Sequence, residues 1–490
     1  MSEHNSEKKD ARSFSEAKPI TDDYNPYKLE IESFSLPVNE AQLQNLDVAV
    51  QLLADDDFEY TKEEANRVLR KIDLVLMPLM CITYALQYLD KVALSYAALF
   101  GMIEEAHLHG SEYSWLTTIF YLGYLVAQYP GAYILQKLPN NLFLFVNTLC
   151  WSAMVMLMAA CSNAGGLLAL RFLMGVFEAC VSPAFVSITS MWYRREEQTM
   201  RSMLWYSFNG VATIIGGILS YGIGHIHNSH VSTWKFIFII IGGLSLAWAG
   251  IFYLLFPSNP VTARFLTPRE LWLFVFITGT YMISNGITVF NSIIIKGLGF
   301  STFRTTLFNM PSGAVEFVVL VITGLISTRI KRGRIFIALV GTALTIVAAG
   351  LVWKLKNPWG RMVGIWIYFG SPICFVTLLS LVASNVAGYT KKMVVGASIF
   401  VFYSIGNIVS PQLFKSSQSP TYDMGMEAIF VSCSITFGLW LALLYYYIYQ
   451  NRIRDKKKAE SSDQSQSNGQ KNEEFMDLTD KQQASFRYLW

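Results

Sequence analysis

Five ionisable residues stand inside long apolar stretches of this 490-residue chain: Asp90, Lys91, Arg171, Glu178 and Glu316. A charge at the centre of a membrane helix costs about 2.5 to 3.5 kcal/mol, so each needs a partner or a wet cavity. Arg171 and Glu178 are seven residues apart, which in a helix leaves them within about 20° of one another, on one stripe and two turns apart. Measured from an outer end near Gly165, Glu178 lies about 20 Å deep, beyond the reach of snorkelling. A guanidinium stays charged and grips a carboxylate through two parallel bonds. Burial favours the neutral form of an acid and a nearby cation favours the ionised form, so a carboxylate exposed to both in turn can take up and release a proton. A structural pair that fixes helix packing is the other reading of the same two residues. Asp90 and Lys91 point about 100° apart and must address different neighbours, with one expected to face a cavity unless both lie at the lip of their span. Glu316 follows a Pro and a Gly that permit a local break in its helix, and is open to a structural or a functional role. Asp73 reads as a solvated charge near a helix start.

These residues are positioned by an all-α membrane framework. The chain is 53% hydrophobic and 15% charged, against roughly 25% charged in soluble proteins. Residues 1–71 hold 25 of the 73 charged residues and 451–490 hold 15, which leaves 33 for the 379 residues between. A bilayer core of about 30 Å needs about 20 apolar residues per helix. Twelve segments qualify: 72–98, 113–136, 141–161, 165–191, 199–226, 233–256, 271–295, 303–327, 333–353, 360–384, 391–413 and 424–450. They divide into two six-helix halves, 72–256 and 271–450, at the proline-containing polar linker 257–270. The tails 1–71 and 451–490 are polar, and within the first of them 61–71 reads as a short helix capped by Thr61 and Glu64. With both ends cytosolic, the inside loops carry twelve Lys or Arg and the outside loops seven, as the positive-inside bias requires.

The net charge of +3 and the lack of a basic run interleaved with aromatics give no case for a nucleic-acid partner. The six cysteines stand singly and read as packing residues rather than disulfide partners or metal ligands. Neither a phosphate-binding glycine loop nor an H-E-x-x-H motif is present, so a membrane enzyme or an ATP-driven pump is not expected, nor any cofactor.

The string YLDKVALSYA (88–97) resembles the first-helix motif of anion:cation symporters in the major facilitator superfamily, and RFLMGVFEACVSPAF (171–185) resembles their fourth-helix motif. With MPSGAVE (310–316), SNVAGYTKK (384–392), GNIVSPQLF (406–414) and FMDLTDKQQASFRY (475–488), the chain is most similar to the fungal allantoate permease branch. That resemblance implies a major facilitator fold of twelve transmembrane helices, alternating access and symport of a small organic anion with protons as the coupling ion. Allantoate, ureidosuccinate and vitamin-like monocarboxylates are all open as substrates. Matched by position, Asp90 and Glu178 correspond to the proton-coupling carboxylates and Lys91 and Arg171 to the anion-binding cations, although Lys91 stands where relatives commonly carry Arg. Asn385, Asn407 and Gln412 join Glu316 as candidate cavity-lining residues. A monomer in the plasma membrane is the implied setting, with lipid and the anion as partners. The linker 257–270 is shorter than the resemblance implies, and this motivates a second reading, a nutrient sensor or inactive relative that does not transport.

Overall fold

In the computed structural model, the residues described are 62–226, 231–256, 271–330, 333–386, 389–419 and 421–461. The linker 257–270, the tail residues 1–61 and 462–490, and the proposed Thr61 cap lie outside them. The described chain forms α1 (Lys62–Leu99), α2 (Glu112–Lys137), α3 (Asn140–Ala160), α4 (Ala164–Trp192), α5 (Arg195–Ile223) and α6 (Thr233–Leu255). Beyond the linker come α7 (Leu271–Gly297), α8 (Thr302–Arg329), α9 (Arg334–Lys354), α10 (Pro358–Asn385), α11 (Tyr389–Gln412) and α12 (Asp423–Ser461). The short entry helix and the first span are one continuous rod, α1.

Eleven of these helices are long and apolar enough to cross a membrane. The exception is α2, whose 26 residues span about 39 Å at 1.5 Å per residue. Five tyrosines, Gln128 and Pro130 dilute its hydropathy, yet Tyr113, Tyr121, Tyr124 and Gln128 are buried inside the bundle, so the polar groups face protein.

Helix breaks occur where backbone can be satisfied by protein. The first part of α4 ends at Glu178 and the second begins at Val181; α7 passes through a 3₁₀ turn at Ile283–Asn285; α10 unwinds between Tyr368 and Ile373. Non-helical backbone is tolerated at membrane depth only when buried or lining a cavity. The break that Pro311 and Gly313 permit in α8 is not used, because Thr302–Arg329 runs uninterrupted through Pro311.

Glycines set the closest helix approaches. A Cβ at Gly123 in α2 would collide with the Phe172 carbonyl of α4, and one at Gly175 in α4 with the Phe120 carbonyl of α2. The same reciprocal contact joins the two halves, where a Cβ on Gly210 of α5 would strike the Gly313 carbonyl of α8 and the reverse. Small residues let backbones meet where lipid supplies no hydrophobic drive for helix association. The halves also meet along α2 and α11.

Hydrogen bonds tie the halves at both ends. Where α1 begins, Thr199 and Ser380 are 2.5 Å apart, Arg334 donates across to the Arg195 carbonyl at 3.4 Å, and Tyr129 meets Ser398 at 3.2 Å. At the opposite end Gln412 donates to Thr118 at 2.8 Å, and Ser292 to Ser95 at 3.3 Å. Asp73 is not simply solvated: Arg201 holds it through two bonds of 2.8 and 3.3 Å and lies 5.1 Å from the Tyr193 ring. Burial, with Asp73 alongside, pushes the Tyr193 phenol up.

Gly313→Val should lower the thermal midpoint of the purified protein by the equivalent of about 1 to 3 kcal/mol, the usual cost of overpacking. Gly243→Val, in α6 with nothing within 4 Å of its added Cβ, is the control. Equal melting of the two variants would remove the reciprocal glycine contact as a determinant of how the halves join.

Candidate functional site

A cavity of ≈ 100 Å³ lies between the two halves. Residues Tyr84, Gln87, Tyr88, Lys91 and Ser95 of α1 line one wall, at the three- and four-residue intervals that share a helix face. Lys91 therefore faces the cavity. Asp90, one residue earlier, is turned into the protein, 1% exposed, with neither carboxylate oxygen hydrogen-bonded among the described residues.

The acid opposite Lys91 is Glu178, fully buried at the end of the first part of α4, with Lys91 Nζ 2.5 Å from its Oε1. The Lys91 ammonium also stands 5.8 Å from the centre of the Phe120 ring. In the sequence Arg171 is the nearest candidate partner for Glu178, since both share a stripe. The structure gives that place to Lys91, whose ammonium reaches Glu178 from α1, while Arg171 stands two turns away along α4. Glu178 lies behind Lys91 and does not line the cavity.

Arg171 does line it. It is 3% exposed, and its Nε and Nη2 have no hydrogen-bond partner among the described residues. Those two donors form one edge of the guanidinium, spaced to meet the two oxygens of a carboxylate side-on. Asp90 and Glu178 both lie within electrostatic range of Arg171 and Lys91, so two acids and two bases with formal charges that cancel occupy one region of the first half.

The second half contributes polar but mostly uncharged groups. Ser284 and Asn285 come from the α7 turn, Ser371 and Pro372 from the α10 break, and Glu316 from α8. Tyrosines are frequent in the lining, with Tyr206, Tyr281, Tyr368 and Tyr403 added to those of α1 and α2. Of the aromatics evident in the spans, Trp205, Phe208 and Phe290 pack against other rings outside the lining.

Among the residues expected to line the cavity, only Glu316 does so. Asn407 sits one layer out, 2.5 Å from the lining residue Asn285 and donating to the Tyr403 carbonyl. Gln412 is engaged in the bond to Thr118 that joins the halves. Asn385 is buried at the last turn of α10, beyond the cavity at the end where α1 begins. Motif position does not separate these, because all four are polar residues in apolar helices, and depth and facing depend on the neighbours. Sequence reasoning also misses Asn209 and Asn285; for Asn285 the Ser-Asn-Gly string inside a span is the available signal of broken helix. No group of His, Cys, Asp and Glu suited to a metal occurs among the described residues.

Comparison with known proteins agrees with this fold. The family model described as Major Facilitator Superfamily matches residues 80–411. An uncharacterized transporter of Schizosaccharomyces pombe is 51% identical, over 90% of this chain and 91% of its own length. The allantoate permease of Saccharomyces cerevisiae is 30% identical, over 90% of each chain. Among solved structures, a human organic anion transporter superposes with a TM-score of 0.59 at 12% identity, covering 76% of this chain and 98% of that one, and so supports the fold.

Breaking the buried ion pair on one side should be severe: Lys91→Met alone should destabilise the protein by about 3 to 5 kcal/mol, since it strands a buried charge. Lys91→Met with Glu178→Met should recover most of that loss in a thermal unfolding series. A double variant no more stable than the single one would show that the two residues are not energetically paired.

Proposed function

The chain belongs to the Major Facilitator Superfamily, in its fungal allantoate permease-like branch, and from that premise we propose that it carries a small organic anion across a membrane together with protons, by alternating access. The observation that carries this reading is the unpaired Nε and Nη2 edge of Arg171, buried at the cavity wall. A fixed guanidinium with free donors is a site for a planar anion, and a carboxylate satisfies both donors at once. Lys91 supplies a second cation, already neutralised by Glu178.

Charge balance supplies the coupling. With Asp90 and Glu178 ionised, the four-residue group is neutral, and an arriving anion leaves it one negative charge in excess. Uptake of a proton by Asp90 or by Glu178 removes that excess, so anion and proton are favoured together. Protonation of Glu178 also frees Lys91 for the substrate. The tyrosine-rich wall suits a compact organic acid, such as allantoate or a vitamin-like monocarboxylate. The setting is the plasma membrane with both termini cytosolic, and the carrier acts as a monomer.

The test is uptake of labelled organic anions by cells expressing this chain, at acidic and neutral external pH, with and without a proton uncoupler. Saturable uptake that is faster at acid pH and abolished by the uncoupler is expected. Arg171→Lys should weaken apparent affinity about 10-fold or more, because one ammonium cannot replace the two-pronged contact, worth about 1.5 to 3 kcal/mol. Glu178→Gln should abolish the acceleration at acid pH. Uptake by Glu178→Gln that still responds to pH and uncoupler would exclude Glu178 from coupling, and a complete lack of uptake from protein correctly inserted at the cell surface would favour the sensor reading.

A further inference from the structure

Most polar groups that the second half brings to the cavity wall are already hydrogen-bonded. Asn285 donates to Asn407, the Tyr368 hydroxyl to the Ser284 carbonyl at 2.9 Å, the Tyr281 hydroxyl to the Ser371 carbonyl at 2.7 Å, and the Ser284 hydroxyl to the Tyr281 carbonyl at 2.7 Å. The lining residues Gln87, Arg171, Asn209 and Glu316 differ, because each has buried side-chain atoms with no hydrogen-bond partner among the described residues. Buried polar atoms are nearly always paired, so each exception needs a reason.

These atoms divide by chemistry and by place. Arg171 leaves two donors, Nε and Nη2, while Glu316 leaves the acceptor Oε2 and Asn209 the acceptor Oδ1. Gln87 leaves one of each, Nε2 and Oε1, and does not tip the balance. Arg171 comes from the first part of α4, which packs on α2 and α3. Glu316 and Asn209, 2% and 3% exposed, reach the cavity instead from the seam between α8 and α5. Gly210, next to Asn209, lies so close to α8 that an added Cβ would strike the Gly313 carbonyl and stand 2.7 Å from the backbone nitrogen of Phe317, the residue after Glu316.

We propose that Glu316 and Asn209 are a second pole of the substrate site, receiving N–H groups at the far end of an organic acid whose carboxylate lies on Arg171. The inference rests on the reading of Arg171 as the anion site and narrows it: the acid ends in an N–H-bearing group such as a terminal amide, and not in a hydrocarbon or a ketone. An NH₂ group has two hydrogens, one for each acceptor. The Glu316 carboxyl keeps an acceptor oxygen whether or not it holds a proton, so the pole serves in either state. An acid without donors leaves both acceptors buried and unpaired, and a site built on polar groups rejects such an analogue far more strongly than an apolar pocket rejects a missing methylene. Arg171 and Asn209 belong to the first half and Glu316 to the second, so a ligand that spans both poles engages both halves at once.

The experiment measures binding to the purified full chain by calorimetric titration with acids matched in shape: succinamate against levulinate, which differ only in NH₂ for CH₃, and the same pair lengthened by one methylene. Succinamate or its longer homologue should bind about 10-fold or more tightly than its ketone partner. Glu316→Leu and Asn209→Leu should each bring that ratio toward one. The ratio is read within each variant, so a smaller folded fraction does not imitate the effect. Arg171→Lys should weaken both members of a pair alike and leave the ratio in place. Equal binding of amide and ketone by the wild type, or a preference that persists in both leucine variants, overturns the second pole and leaves Arg171 as the anion site. Binding of neither kind of acid by folded wild type strikes the anion reading itself, and the second pole with it.

Discussion

The ion pair between Lys91 and Glu178 is the contact on which the site depends. Glu178 is fully buried about two turns below Arg171, at a depth where neither water nor a lipid headgroup reaches it. Each charge neutralises the other where Glu178 is buried. The facing of α1 goes with the pair: Lys91, turned toward Glu178, lies on the stripe from Tyr84 to Ser95 that lines the cavity, while Asp90 is turned into the protein.

The same economy of satisfied groups governs the backbone. The breaks in α4, α7 and α10 lie beside the cavity or beneath it, where side chains and neighbouring helices supply hydrogen bonds. Helices facing lipid over their length, such as α6 and α9, run unbroken. Glycines complete the arrangement: the Gly123 and Gly175 contact seats α2 on α4 and so brings Phe120 beside Lys91, and the Gly210 and Gly313 contact seats one half on the other. Positioning of the charged groups is therefore shared between an electrostatic pair and close backbone contacts.

Much of this was legible in the sequence because hydropathy and charge speak directly to a bilayer. A charge inside an apolar run is visible without any structure, and all five such residues are buried or line the cavity. The seven-residue spacing of Arg171 and Glu178 correctly put them on one stripe. What it could not supply was the partner, because the partner of Glu178 comes from another helix, α1. The same limit explains Asn385, Asn407 and Gln412: a polar residue in a span serves equally as cavity wall or as a bridge between helices, and only the facing helix distinguishes them. The Pro311 and Gly313 pair permits a break that α8 does not use. Proline permits a break but does not compel one, and Gly313 is there for the close approach of α5 rather than for flexibility. The α2 helix was legible by length but falls short on hydropathy, since Tyr113, Tyr121, Tyr124 and Gln128 face protein instead of lipid.

The distribution of charge between the halves has a consequence for the proposed cycle. The first half holds two acids and two bases that cancel, whereas the second holds Glu316 alone at the cavity. A neutral group can accept an anion and a proton together and return to neutrality, so the first half can load and unload without leaving net charge in the membrane interior. Among the described residues the second half brings Glu316 and no cation to the cavity, and its wall there is otherwise built of neutral groups such as Ser284, Asn285 and Ser371. In the proposed cycle the loading of anion and proton therefore falls to the first half, and the second half follows it through α5 and α8, whose backbones meet at Gly210 and Gly313.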